Sequence, residues 1–284
     1  MEQVKLVECP RDAMQGWKTF IPTEKKIGYI NQLLKVGFDT LDFGSFVSPK
    51  AIPQMSDTKE VVDNLDLENT KTKLLAIIAN TRGAEDAAAF KQINYLGFPF
   101  SVSPTFQKRN TNSTIEASLQ TVKEIKSICD HNHMEPVVYI SMAFGNPYGD
   151  IYNEEIVLEW INKLVREGIE IISLADTVGL ASPSQIASLV KQVIHAFPDI
   201  ETGVHLHSTN LNWKEKIDAA LQNGCKRFDG ALKGIGGCPM AEDELVGNMN
   251  SELMIPYFEK LGLLQNINQE ALNKAVEMAS KIFV

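Results

Sequence analysis

The sequence predicts an α/β protein built as a single (β/α)8 TIM barrel with an additional C-terminal helix. Three observations lead there. Short β-rich runs alternate with longer segments of helical period eight times, with no linker between units. Strand candidates such as Ile171-Ile172-Ser173-Leu174 are apolar on both faces, as parallel strands covered by helices are. No Gly-x-Gly-x-x-Gly follows the first strand, so the competing doubly wound dinucleotide fold lacks its phosphate loop. A length of 284 residues would also suit two average domains, but single barrels of this size are common. The expectation is one catalytic barrel over residues 1–284, with a helix over about 268–283 packed on it.

In order along the chain, the first unit is the strand Lys5–Cys9 and a helix over Thr23–Val36, with Ile27, Ile30, Leu33 and Leu34 at helical spacing. Thr40–Phe43 with a helix near Lys59–Leu65, and Leu74–Ala79 with a helix near Glu85–Ile93, form the next two. Phe98–Ser103 is the fourth strand, and its helix starts at Ser113, where Ser113-Thr114-Ile115-Glu116 reads as a capping box. Val137–Ala143 with Glu154–Val165, Glu170–Ala175 with Ser184–Ala196, and Gly203–His207 with Lys214–Gln222 follow. Arg227–Leu232 with Ser251–Lys260 closes the set, and Gln269–Ile282 is the extra helix. Ser182-Pro183-Ser184-Gln185 supplies a cap acceptor, a first-turn proline and a Gln three residues on. Gly37, Gly97, Gly168 and Gly224 are expected to close helices in the left-handed conformation.

Composition narrows the function classes. Lys+Arg 27 against Asp+Glu 36 gives a net charge of −9, which disfavours non-specific nucleic-acid binding and attachment to anionic membranes. Apolar runs such as Val137–Ile140 fall far short of a spanning helix, and the first twenty residues show no secretory pattern. Cys9, Cys129, Cys225 and Cys238 form neither a disulfide framework nor a Cys-x-x-Cys site, so a cytoplasmic protein with reduced thiols is expected.

Barrel enzymes carry their reacting groups at the carboxyl ends of strands, which shortens the search. In His205-Leu206-His207 the two imidazoles sit two residues apart on one strand and can reach one ion, or else hydrogen-bond within a polar interior. Asp12 ends the first strand, and Asn248 follows the last. A carboxylate, two imidazoles and an amide suit Mg²⁺ or Mn²⁺ with open positions better than a closed zinc site. Arg11 reads either as a structural ion pair with Asp42 or as a fixed cation for charge developing on a substrate oxygen, and one arrangement serves both. The loop Lys233–Pro239 offers backbone N–H groups for phosphate or simply a tight turn. Its Cys238 is either an acid/base or nucleophile or an ordinary lone thiol. Cys9, Cys129 and Cys225 read as packing residues.

At these residues the chain resembles the 3-hydroxy-3-methylglutaryl-coenzyme A lyases, of the barrel metallolyase superfamily that also holds isopropylmalate and homocitrate synthases. The resemblance runs from about Val4 to Leu263. It rests on Pro10-Arg11-Asp12-Ala13-Met14-Gln15, Ser45-Phe46-Val47-Ser48-Pro49-Lys50, Pro53-Gln54-Met55, Ser173–Gly179, His205-Leu206-His207 and Gly234–Pro239. It implies divalent-metal-dependent retro-Claisen cleavage of the methylglutaryl thioester to acetyl-coenzyme A and acetoacetate. The implied metal ligands are Asp12, His205, His207 and Asn248. Arg11, oriented by Asp42, would face the enolate oxygen, and Cys238 would transfer a proton. Asp176 would lie near the reacting alcohol, where it or His205 would act as base. Gln15, Ser45, Asn110, Tyr139 and Thr177 would contact substrate, and Lys18 would lie by the coenzyme A phosphates. The acyl-coenzyme A is the expected partner, with a homo-oligomer, dimeric first, and neither nucleic acid nor membrane. The chain departs from the family pattern at Ala13-Met14, at Asp42 (a glutamate in the family), at Asn146-Pro147 (Cys-Pro in the family) and at Ser208 (an aspartate). A sister aldolase or Claisen synthase, and a non-catalytic binding barrel, are the rival readings.

Overall fold

The computed structural model describes residues 3–237 and 247–284. Ten strands appear among them: β1 (Lys5–Glu8), β2 (Thr40–Ser45), β3 (Lys73–Ile77), β4 (Ile93–Ser101), β5 (Glu135–Ser141), β6 (Ile171–Ala175), β7 (Glu201–His205), β8 (His207–Ser208), β9 (Arg227–Gly230) and β10 (Gly247–Asn248). The helices are α1 (Pro10–Gln15), α2 (Thr23–Leu33), α3 (Thr58–Asp63), α4 (Thr81–Ala88), α5 (Pro104–Thr111) and α6 (Ile115–Asn132). They continue with α7 (Glu154–Arg166), α8 (Pro183–Ala196), α9 (Trp213–Gln222), α10 (Ser251–Lys260) and α11 (Gln269–Ile282). Strands β1 to β7 and β9 form a closed parallel barrel in the order β1-β2-β3-β4-β5-β6-β7-β9. The short β8 and β10 pair antiparallel outside it, Gly247 opposite Ser208 and Asn248 opposite His207. Among the described residues no helix is long and apolar enough to cross a membrane.

Local chemistry accounts for most helix starts. Ser182 caps α8 in a full capping box with Gln185, as its sequence predicts. Asn80, Asn153 and Asn268 cap α4, α7 and α11 through their side-chain oxygens. Thr114, not Ser113, caps α6, accepting from the Ala117 amide. Two helices were not legible as such. Ser103 caps α5, where Pro104 takes the first helical position, and α1 begins at Pro10 directly after β1. The helix expected near Glu85–Ile93 starts four residues earlier, because Asn80 sets its first turn. Ile93 instead opens β4, which therefore begins five residues before the expected Phe98.

Gly37, Gly168 and Gly224 do take positive φ at helix ends. Gly97 does not; it lies inside β4. An alanine Cβ there would meet Ile77 Cδ1 at 2.5 Å and the Tyr139 ring at 3.1 Å, so the missing side chain is what lets Tyr139 cross the barrel interior. Apolar residues on the strands' outer faces meet the helices: Phe98, Phe100, Ile140 and Leu174 are fully buried with Trp160, Ile161 and Val190. Each such Leu, Ile or Phe stabilises the fold by about 1.5–3 kcal/mol. The C-terminal helix α11 packs on α2, and Phe283 beyond it meets Trp17 and Tyr29 edge-on at 5.4 and 6.2 Å.

Glu8, wholly buried at the end of β1, ties down both ends of the loop that follows β9. Its Oε1 accepts from the Leu232 amide at 2.8 Å and its Oε2 from the Ser251 hydroxyl at 2.5 Å. Burial pushes this carboxyl up to about 8, against the opposing pull of those two donors. A folded value above the unfolded one means a stability contribution that is complete below about pH 4.5 and lost as pH rises through about 8. Glu8→Gln keeps an oxygen for Leu232 and removes the titration. Urea unfolding across that window should show the wild-type stability falling relative to the variant as pH rises; parallel curves would exclude the linkage.

Candidate active site

The first turn of α1 brings two opposite charges to the barrel mouth. Proline at its first position starts the helix, and Asp12 in that turn suits the positive end of the peptide dipoles. Arg11 and Asp12 are therefore helical residues rather than the last residues of a strand. Both are buried. Arg11 reaches β2 with a two-pronged contact: Nε lies 3.1 and 3.0 Å from the two Asp42 oxygens, and Nη2 lies 2.5 Å from Oδ2. Nη1 turns to Asp12 Oδ1 at 3.0 Å. Burial works against the guanidinium, but Asp42 and Asp12 outweigh it and keep Arg11 charged. Burial raises Asp42 to about 6 with Arg11 opposing. Burial would also raise Asp12, yet Arg11 first and then the imidazoles and the Asn248 amide hold it below its ordinary range.

The two histidines arrive by a route the sequence does not display. β7 ends at His205, Leu206 breaks the strand, and His207 begins β8 against Asn248. The rings stand edge to face, 5.4 Å between centroids. Ligand atoms of Asp12, His205 and His207 all lie within 4.8 Å of one another. Burial, with His205 adding to it, lowers His207 to about 4, so its imidazole is neutral and its nitrogen lone pair is available. His207 Nε2 is buried with no hydrogen-bond partner among the described residues. An orphaned imidazole nitrogen beside a second imidazole and a carboxylate fits a divalent cation with nitrogen and oxygen donors. Asn248 donates its Nδ2 to Asp12 Oδ2 at 2.6 Å and to Ile235 O at 3.0 Å, so ligation by its oxygen requires the amide to turn over. The glycine loop comes down on this group. A Cβ on Gly236 would meet Asn248 Nδ2 at 2.6 Å and the Asp12 carbonyl at 2.9 Å.

A cavity of about 390 Å³ opens above these residues. Of the residues expected at the site, Arg11, Asp12, Gln15, Asn110, Tyr139, Thr177, His205 and His207 line it. Gln15 also donates to Asp12 Oδ1 at 2.7 Å. A second depression, between α10 and α11, is lined mainly with glutamates and aliphatic residues and gathers no cation or imidazole, so the mouth cavity is the candidate site.

Several expected residues are elsewhere. Asp42 stands behind Arg11 and meets the cavity only through it. Ser45 is buried and its hydroxyl accepts from the Val47 amide. Lys18 is exposed beyond α1. Asp176 is held by two donors. Its Oδ1 accepts from the Ala181 amide at 3.0 Å and its Oδ2 from Lys216 Nζ at 2.9 Å, in a buried pair off the cavity wall. Lys216 also donates to the His207 carbonyl at 2.8 Å, so this pair holds the backbone that presents the imidazole. Cys238 lies outside the described residues. Cys9, Cys129 and Cys225 are buried free thiols, and burial pushes the last two up to about 12. Sequence reasoning missed Lys216 and Asp229. Lys216 carries no signal within an amphipathic helix, but Arg227-Phe228-Asp229 alternates charges at strand period, which marks a polar inward face.

Fold and mouth together define a barrel enzyme. The chain belongs to the HMGL-like family, whose model matches residues 3–279. It is 32% identical over 268 residues to the hydroxymethylglutaryl-CoA lyase of Bacillus subtilis, covering 94% of this chain and 89% of that one. It is also 32% identical to the human cytoplasmic 3-hydroxy-3-methylglutaryl-CoA lyase, covering 99% and 75%. Among solved structures it superposes on an HMG-CoA lyase from Acinetobacter baumannii in complex with coenzyme A and 3-methylmalate, with TM-score 0.91, 31% identity and coverage of 99% and 91%. The Bacillus subtilis HMG-CoA lyase structure gives TM-score 0.92 at 31% identity, covering 99% and 94%.

Calorimetric titration of His207→Ala with Mn²⁺ is expected to show binding lost or weakened at least about 10-fold, as removal of a ligand exceeds the effect of removing its outer partner. Unchanged binding would show that the three side chains do not hold the ion.

Proposed function

We propose that the chain cleaves 3-hydroxy-3-methylglutaryl-coenzyme A to acetyl-coenzyme A and acetoacetate, with Mg²⁺ or Mn²⁺ held by Asp12, His205, His207 and Asn248. The observation that carries the reading is the meeting of Asp12, His205 and His207 beside an arginine braced by Asp42. A divalent cation bound there supplies positive charge that makes a neighbouring alcohol easier to ionise and draws negative oxygens to one place.

In this reading the tertiary alcohol loses its proton and its carbon becomes the ketone of acetoacetate. The carbon–carbon bond breaks, and its electron pair passes to the thioester as an enolate. Arg11 faces the enolate oxygen. Its guanidinium is oriented in advance by Asp42 and Asp12, so charge develops against a donor that need not reorganise. Gln15, Asn110, Tyr139 and Thr177 border the space for the acyl group. The alcohol proton is assigned to Asp176, each of whose oxygens accepts one hydrogen bond, from Ala181 or from Lys216, and keeps a further lone pair. Protonation of the enolate carbon is assigned to Cys238, next in sequence to the glycines that descend on Asp12. Relatives named as HMG-CoA lyases, and one of them solved with coenzyme A, support this choice of acyl carrier. Buried reduced thiols and a relative named cytoplasmic support placing the enzyme in the cytoplasm.

Incubation with the methylglutaryl thioester, with and without Mg²⁺ or Mn²⁺, should yield acetoacetate only when the cation is present; no product under either condition would overturn the reading. Arg11→Gln should lower kcat by about 10²–10³-fold with a much smaller change in KM, since the interaction it removes strengthens only as the enolate forms. A near-normal kcat would remove Arg11 from the enolate.

A further inference from the structure

Asp229 takes no part in the mechanism above, yet it is wholly buried and touches one of its histidines. Strand β9 pairs with β7 so that Val204 lies opposite Phe228, and the next residue on each strand is His205 and Asp229. Phe228 points outward to Phe258 of α10, with 5.0 Å between ring centroids, so Asp229 points inward. His205 Nδ1 lies 3.1 Å from Asp229 Oδ2. The other face of the ring is set by Tyr139, edge-on at 5.9 Å.

We propose that Asp229 is a positioning residue that fixes the His205 proton on Nδ1 and so aims the lone pair of Nε2 at the cation shared with Asp12 and His207. The inference rests on the cation site put forward above. A neutral imidazole has one N–H and one lone pair, and an ionised carboxylate only accepts. The contact therefore decides which nitrogen is left for an ion, and it restrains rotation of the ring. Asp229 attracts the buried Arg227 guanidinium but makes no hydrogen bond with it. Its Oδ1 finds no hydrogen-bond partner among the described residues. Arg227, on the same face of β9, makes its ion pairs with Glu201 at 3.1 Å and Asp39 at 3.9 Å. A carboxylate removed from water with a single hydrogen-bond donor is costly, and the imidazole N–H offsets that cost together with the nearby charge of Arg227.

The test uses the full chain and Mn²⁺ as the probe. Asp229→Ala should bind Mn²⁺ about 10–100-fold more weakly than wild type by calorimetry, and Asp229→Asn, which still offers an oxygen to the N–H, should recover part of that loss. Nitrogen-15 spectra of the metal-free protein at alkaline pH should show the His205 proton on Nδ1 in wild type and mostly on Nε2 in Asp229→Ala. If Asp229→Ala does not fold, the wild-type spectrum and the Asn variant decide. Equal Mn²⁺ affinities in folded wild type and variants, or a wild-type proton on Nε2, would overturn the assignment while leaving the cation site standing. A wild-type protein that binds no Mn²⁺ would instead remove the cation site itself, and this role with it.

Discussion

Parallel pairing of β1 with β9, which sets Lys5 to Glu8 opposite Arg227 to Gly230, joins the first and last strands of the barrel. The mouth chemistry follows from this closure. Asp12 leaves β1 one helical turn later, His205 leaves β7 on the other side of β9, and Asn248 returns on β10 to pair with His207. Residues more than 190 positions apart in sequence then bring ligand atoms within 4.8 Å. An open sheet would leave β1 at an edge, with no neighbour to bring the imidazoles to it.

Gathering this much charge out of water is unfavourable unless each group has a partner. The structure meets that cost in pairs. Arg11 lies between Asp42 and Asp12, Lys216 holds Asp176, and Asp229 receives His205. His207 is paired differently: its backbone carbonyl is held by Lys216, while its ring Nε2 is among the buried polar atoms without a hydrogen-bond partner among the described residues. That nitrogen, beside the carboxylate of Asp12 and the ring of His205, is open to a ligand. Asp42 on β2 holds Arg11 in a two-pronged grip, because its two oxygens reach both Nε and Nη2 of the guanidinium.

The glycine loop shows how the same barrel frame controls a less regular segment. Glu8 clamps its start at Leu232 and its return at Ser251, Ala231 and Met249 bond through their backbones, and Gly236 lies against Asp12 with no room for a side chain. Loop and ligand cluster are thus fixed to the same strand, β1, from its two sides.

By itself the sequence determined the alternation of strands and helices, the Ser182 cap, and the residue types of the site, because periodicity, capping and side-chain chemistry are local properties. The Arg-Asp and His-x-His motifs marked the candidate site for the same reason. Tertiary structure alone decided the rest. It made Gly97 a gap for Tyr139 inside the barrel rather than a helix end, broke the His-x-His strand at Leu206, and paired Asp176 with Lys216. It also set Asp229 against His205. Each of these depends on which strand lies beside which and at what register, a relation between distant residues that no local pattern encodes.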